Sequence, residues 1–453
     1  MTDFVVLGTG PVGVIVTKYL LKRNHSVTLI DNSGVKTTKE FPEFTLKNVD
    51  KSIYSEFFVN LKNLKLSLPI GSKSKGGFSK QWGGTLSELS SKDFEEWEMN
   101  YRDLFNYFTY IIKTLDLQIS KSDDFSFTSS FENFDEISNI MFDHLLETQN
   151  NKIKFQKSKL FIDKYGEIWD AESTLRKLIE NNQNLNYIDN FEVIDIKAKP
   201  DLFELHTKDT KIVFKNSKLL IATGPFPSSY LAGKLLEVDK YKIQNSDLRV
   251  LPMIWLGKNC KEKSSNTFPQ LFVDFKNEFD QITRGQLYIL NNDLIKTLGE
   301  QVSKITINLI KFINFLLPNR VNLMFIYDNS CNSNFFEFQT SNNKIETIKV
   351  FKRKNSSLVN LIFTFIKNIS SYKLMPLPVY RKFDTYGSFH IGSSEFINKE
   401  GESYKFNEDG RIEGYSDIYF VDSSIFKNIP SGPTTFLSMA IALKNVDDIL
   451  NKL

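Results

Sequence analysis

Cysteine and histidine are scarce in this sequence: 453 residues hold two cysteines and four histidines. Cys260 and Cys331 form no metal-ligand spacing and no disulfide framework of the kind small secreted domains use, so no metal site is expected and a reducing compartment is. No uncharged apolar run reaches the roughly 18 residues of a membrane span. The opening MTDFVVLGTG has neither a basic n-region nor a small-residue cleavage site. A cytoplasmic location without export is therefore the expectation. Neither sign of charge dominates, with 57 Lys and Arg against 54 Asp and Glu scattered along the chain. That balance gives no basic patch for nucleic acid. No repeat of 20 to 50 residues is visible.

What is present is an ordinary globular composition, 41% hydrophobic and 25% charged. The chain is too long for one ordinary core, so two domains interleaved in sequence are expected. The fold class expected is α/β, opening with an apolar run from Phe4 to Leu7, a helix in VIVTKYLLKRN, and a second strand from Val27 to Ile30. Residues 68–90, rich in Gly, Ser and Lys, read as a long loop, and DFEEWEMNYRDLFNYFTYIIKTL has helical spacing. Strands follow between 185 and 222. Longer strands fill the stretch from about 245 to 385, around one helix, VSKITINLIKFINFLL. In that helix Val302, Ile305, Leu309, Phe312 and Leu316 share one face, expected to pack on the core, with Pro318 as the stop. The C-terminus reads as a turn, the strand IYFVD, and an amphipathic helix with Pro433 near its first turn.

In LGTGPVG, Gly8, Gly10 and Gly13 satisfy G-x-G-x-x-G, with Pro11 and Val12 inside the turn. The spacing provides a tight turn, a close backbone approach to a pyrophosphate, and close packing of helix on strand. The helix N-terminus would add N–H groups and partial positive charge. Asp31 stands 18 residues beyond Gly13, at the end of the second strand, where a carboxylate can accept from ribose hydroxyls. Strand, triplet, helix, strand and acid in this order point to dinucleotide binding.

The triplet does not distinguish FAD from NAD. Three further segments resemble the glucose-methanol-choline (GMC) family of FAD-dependent oxidoreductases. GGFSKQWGG, with Gly77, Trp82, Gly83 and Gly84, is similar to the family's glycine-rich loop along the flavin. Gln81 stands where some relatives carry a flavin-linked histidine, so the resemblance implies non-covalent FAD. LLIATGPFPSSYLAGKLL, with Thr223 and Gly224, resembles the strand, turn and helix that follow, and Val193 in FEVIDI is a candidate contact to adenine. DIYFVDSSIFKNIPSGPTTFLSMAIALKNVDDIL resembles the closing strand and terminal helix. There Asp422 would meet the ribityl and phosphate side, and Gly432, Pro433 and Thr434 the pyrimidine end. The resemblance implies a Rossmann-like, three-layer FAD-binding domain drawn from residues 1–90, 151–245 and 386–453. An α+β substrate domain with an antiparallel sheet would be interleaved: a helical part at 91–150 and a sheet-rich part at 246–385.

A histidine near neutrality suits removal of a hydroxyl proton during alcohol oxidation. His390 begins HIGSS, similar to the family's H-x-x-G-T but one residue shorter before the glycine. The family's second catalytic His or Asn would fall at Gly432, which has no side chain. Ser431, Thr434 or Asn428 is then left to complete the pair. His390 is therefore the candidate general base; the alternatives are that it binds substrate or flavin without proton transfer or serves the loop alone, whereas His25, His144 and His206 read as structural. The resemblance implies oxidation of a CH–OH group of a sugar or other alcohol, with the electron acceptor undefined and membrane contact not expected. The alternatives are a flavoprotein isomerase, a carbonyl reductase using reduced flavin, or a catalytically degenerate FAD-binding partner protein. A nicotinamide dehydrogenase would leave the C-terminal segment unexplained.

Overall fold

The computed structural model describes residues 2–33, 59–61, 66–68, 72, 74–81, 84–86, 89, 91–94, 97, 99–121, 127–129, 134–246, 248–259, 268–276, 282–291, 304–333, 335–341, 344–351, 357–377, 381–382 and 390–452. Trp82, Gly83 and Cys260 lie outside the described residues.

Five short apolar strands form a parallel sheet in the order Leu185–Ile188, Val27–Ile30, Phe4–Leu7, Lys218–Ile221, Ile418–Phe420. Side chains alternate across a strand, and runs such as FVVL are apolar throughout because both faces are covered. Phe4 and Val6 join the core with the helices Pro11–Lys22 and Thr435–Leu450. Val5 and Leu7 point the other way, to the core that holds the helix Pro225–Leu235 and the strand Leu202–His206. That strand is the middle of an antiparallel meander, Asp195–Lys199, Leu202–His206 and Lys211–Lys215. The result is three layers around the parallel sheet. Phe4–Leu7 is central, with Val27–Ile30 on one side and Lys218–Ile221 on the other, so strand order reverses at its carboxyl end. Open α/β sheets bind ligands at such a reversal.

The remaining strands form two larger antiparallel sheets. One runs Lys344–Phe351, Phe335–Ser341, Lys240–Asn245, Ile391–Ile397, Ser403–Tyr404. The other has seven strands, among them Leu248–Trp255, Val321–Tyr327, Ile282–Ile289 and Leu271–Lys276, with Ile153–Lys157 beside the last. Its two faces differ in chemistry. Phe155, Val273, Leu287, Met324 and Leu251 pack on Met141 and Leu145 of the helix Glu136–Thr148 and on Phe365 of the helix Ser357–Lys367. The opposite face carries Arg284 beside Tyr327 and Gln286 beside Phe325. All four are buried except Phe325, which is partly so.

The helix expected in VSKITINLIKFINFLL is present at Lys304–Leu316; of its expected core face, Val302 and the side chains of Ile305 and Leu309 lie outside the described residues, and the two described members point outward. Phe312 and Leu316 are exposed, and Ile310 packs inward on Val321 and Leu323. This helix is apolar on nearly every side, so periodicity located a stripe without deciding which stripe meets the sheet.

Candidate active site

Gly8 takes φ +98°, and a Cβ there would lie 2.5 Å from the carbonyl oxygen of Ala222. A Cβ on Gly13 would lie 1.9 Å from the Gly8 carbonyl oxygen. Both glycines are thus needed for the turn itself. Gly10 differs: it has φ −62° and ψ 177°, and its added Cβ would meet nothing within 4 Å. The open space faces the start of the helix Pro11–Lys22, whose N-cap makes no side-chain cap bond. First-turn amides left uncapped there can receive an anion. Gly77, at φ +59°, brings the glycine-rich loop onto this turn, with an added Cβ 3.2 Å from Gly10 Cα.

Asp31 follows the strand Val27–Ile30 and donates its backbone N–H to Ile188 O at 2.9 Å. Thr9 Oγ1 donates to Asp31 Oδ2 at 2.5 Å and accepts from Gly76 N at 3.2 Å. Burial raises the Asp31 pKa, opposed by the hydrogen bonds from Thr9 and Ser33. Further donors, such as ribose hydroxyls, would favour its charged form. Val193 packs partly buried against the meander core just before the strand at Asp195–Lys199, so the expected strand FEVIDI begins later than the sequence implied.

Thr223 and Gly224 form the turn into the helix Pro225–Leu235, with the Thr223 hydroxyl 2.9 Å from Ser228 Oγ and Gly224 at φ +88°. Asp422 closes this turn: Oδ2 accepts from Gly224 N at 2.9 Å and Ser228 Oγ at 2.5 Å, and Oδ1 from Ser424 N at 2.9 Å. It therefore ties the last parallel strand to the helix start. Burial raises its pKa against the pull of these donors.

His390 immediately precedes the strand Ile391–Ile397, and its carbonyl accepts from Ser246 N at 2.9 Å. Its ring lies against Tyr327, with centroids 4.6 Å apart and planes inclined by 33°. Burial lowers its pKa to about 3. The strand is fastened to the segment that ends at Thr434. Ser423 Oγ donates to Ile391 O at 2.8 Å, and Ser393 Oγ to Lys427 O at 2.9 Å. Only glycine fits at 392, where a Cβ would lie 2.1 Å from Ser423 O. Ser330, three residues after Tyr327, donates its N–H to Ile429 O at 2.8 Å and accepts from Ile429 N at 2.8 Å. These bonds bring His390, Tyr327 and residues 423–431 into one neighbourhood.

Gly432 has φ +105°, and Pro433 sits just before Thr434, the N-cap of the helix Thr435–Leu450, one step outside the first turn expected for it. Ser431 donates its hydroxyl to Ile282 O at 2.8 Å and accepts at its carbonyl from Arg284 Nη1 at 2.8 Å. Asn428 accepts from Trp97 Nε1 at 3.1 Å. Arg284 also pairs with Asp93 at 2.9 Å and Asp274 at 3.3 Å, all within the molecule's interior or close to it. Sequence reasoning missed Arg284, Asp93, Trp97 and Tyr327, because none has a local motif. The remaining histidines have other surroundings: His144 Nε2 lies 2.7 Å from Ser371 O, and His206 Nε2 2.9 Å from Glu204. No group of three or more metal-ligating side chains occurs among the described residues.

No protein-family model and no curated protein matches the sequence. In three dimensions the chain is similar to the crystal structure of pyridoxine 4-oxidase from Mesorbium loti, with a TM-score of 0.64 over 100% of this chain and 99% of that one. The chain has the fold of that oxidase. At 10% identity the likeness speaks for the fold alone. The likeness in fold extends to the middle of the chain, where sequence offered little.

Proposed function

We propose that the chain is an FAD-dependent oxidoreductase acting on a CH–OH group of a small alcohol or sugar. The reading rests on the fold together with one local feature: open space in front of Gly10, at the reversal point of the parallel sheet. The residues present fit a dinucleotide. A Rossmann-like domain would hold FAD non-covalently, its pyrophosphate on the helix start at Pro11–Gly13 and its ribose hydroxyls on Asp31. Gly77 and Gly84 would line the same cofactor, with Thr223, Gly224 and Asp422 shaping the far wall and Pro433–Thr434 at the pyrimidine end. FAD bound there supplies the acceptor for the hydride of the substrate carbon.

The chain's own part in the reaction is to hold the substrate hydroxyl and receive its proton. His390 is assigned as the group that accepts that proton on an imidazole nitrogen, with Tyr327 fixing the plane of its ring. A second reading has a specific observation behind it. With a pKa near 3 the imidazole is neutral at working pH and a weak base, so it would hold the hydroxyl by hydrogen bond without taking its proton. Substrate class is left at alcohol or sugar.

Purification under non-denaturing conditions followed by a flavin spectrum tests the cofactor, and a protein without flavin that also fails to bind added FAD would overturn the reading. Anaerobic mixing with an alcohol and sugar panel then tests the chemistry. Bleaching of the flavin by one of them, slowed about 10²-fold or more in His390→Ala, is the expected result for a base. Bleaching at the wild-type rate in that variant removes His390 from the reaction.

A further inference from the structure

The helix Lys304–Leu316 turns aromatic side chains to the outside. Phe312, Phe315 and Leu316 stand at i, i+3 and i+4, and Phe312 and Phe315 are 59% and 82% exposed. The helix ends near the turn after the strand Leu248–Trp255, where Arg320 Nη1 donates to Trp255 O at 3.0 Å and Gly257 O at 2.8 Å. Leu256, in the same turn, is exposed and donates its N–H to Lys373 O at 2.7 Å. Lys373 directly follows the helices Ser357–Lys367 and Ile369–Tyr372. There Phe363, 64% exposed, and Ile366 stand at i and i+3. The carboxyl ends of these helices therefore gather at one end of the seven-stranded sheet, around Leu256.

The charge in these segments has one sign. Among the described residues of these helices and turns the charged side chains are Lys258, Lys311, Arg320, Lys367 and Lys373, with no acid. The chain as a whole is near balance at +3. Large exposed apolar side chains mark an interaction surface. Lysine is depleted at protein–protein interfaces, whereas cations beside outward aromatics suit a lipid headgroup layer of negative charge.

We propose that this face binds the surface of an anionic membrane. Phe312, Phe315, Leu316, Phe363 and Ile366 enter the boundary between headgroups and acyl chains, and the surrounding lysines and arginines meet lipid phosphates. The chain lies on the bilayer, since among the described residues no helix is long and apolar enough to cross it. The inner side of the first helix meets Tyr288 through Ile310, on the sheet face that also carries Tyr327 towards His390. The bound face thus lies over the sheet that backs the candidate site. Nothing in this proposal depends on flavin binding.

Co-sedimentation of the full chain with vesicles of phosphatidylcholine alone, or of phosphatidylcholine with phosphatidylserine, reads it directly. Binding to the anionic vesicles is expected to exceed binding to the neutral ones by at least about tenfold and to weaken as salt rises. The double variant Phe312→Ser, Phe315→Ser should lower partitioning by at least about tenfold, because burial of two phenylalanines is lost. Its melting temperature should stay at the wild-type value, both side chains being exposed. Lys311→Gln should cost about fivefold. No binding to either vesicle, or a double variant that partitions as wild type does, overturns the proposal. So does a wild type that dimerises without vesicles and a double variant that is monomeric, with no vesicle binding by either, since the face would then join two copies of the chain.

Discussion

Around the parallel sheet, the groups proposed to meet a nucleotide are mostly backbone. Gly8, Gly10, Gly13, Gly77 and Gly224 shape the turns there through missing side chains, and Asp31, close by in sequence, is held by the Thr9 hydroxyl. Across the seven-stranded sheet the groups are side chains joined over long separations. Arg284 reaches Ser431 at a distance of 147 residues, and Tyr327 stacks on His390. The first arrangement follows from short-range steric rules, so a few residues at fixed spacing are enough to produce it. The second exists only when strand register and the ion pairs of the buried Arg284 are already in place. Cofactor binding and substrate chemistry should therefore fail in different ways when single residues are changed.

The sharpest break comes from two glycines three residues apart. Gly13→Ala places a Cβ 1.9 Å from the Gly8 carbonyl, with no flexible side chain to yield, so backbone must move. Loss of folded protein is the expected outcome, or a destabilisation of at least about 3 kcal/mol. Gly10→Ala has a compatible φ and free space. It should melt within a few degrees of wild type yet retain little or no flavin, because the Cβ would fill the place proposed for the pyrophosphate. Melting temperature and flavin content of both variants separate the roles, and a flavin-replete Gly10→Ala protein would show that the dinucleotide does not lie there.

The difference between the two regions also explains what could be read in advance. The β-α-β opening, the glycine turn and Asp31 were legible because their geometry is local. The order of the parallel sheet was not stated by any spacing, since it depends on strands near 185, 218 and 418 returning to the first. His390 was found through its neighbours HIGSS, but Tyr327 lies in the plain strand VNLMFIY and shows its role only after folding. Arg284, in ITRGQLYI, resembles any polar residue of a half-buried strand. In the structure it is buried between Asp93 and Asp274. Arg284→Ala leaves those carboxylates without their shared cation, and a loss of about 3–5 kcal/mol is expected in denaturant unfolding. The exposed pair Arg23–Asp447, at 3.0 Å, should give no more than about 1 kcal/mol when broken. Equal losses for the two would remove the distinction between an interior network and a surface contact.

His390 offers a comparison on the pH axis. Its folded pKa, about 3, lies below the ordinary value of 6.5, so the unfolded chain binds the extra proton first as pH falls. Stability from this residue is fully present above pH 6.5 and declines below it, until the folded value is reached. Relative to pH 7, wild type should lose about 3 kcal/mol more than His390→Asn at pH 4. Unfolding midpoints of the two proteins at both pH values read the difference. If it is absent, the imidazole is not shielded from water and the neutral-histidine reading of the site loses its support.

The smallest effect tests the nucleotide side with the same tool and the opposite sign. Thr9 Oγ1 donates to Asp31 Oδ2 at 2.5 Å, and Asp31 is a buried acid whose pKa is raised above the usual value. A raised acid binds more protons in the folded state, so its contribution to stability is present at low pH and is lost as pH rises through the folded value. The Thr9 hydroxyl offsets part of that loss by donating to the charged form. Thr9→Val keeps the shape and removes the donor, so it should cost about 1 kcal/mol where the carboxyl is charged and less once falling pH has protonated it, because the charge-assisted bond is then gone. Because ribose hydroxyls would donate to the same carboxylate, added FAD should narrow the gap between Thr9→Val and wild type. A gap unchanged by FAD would mean that the ribose does not reach Asp31.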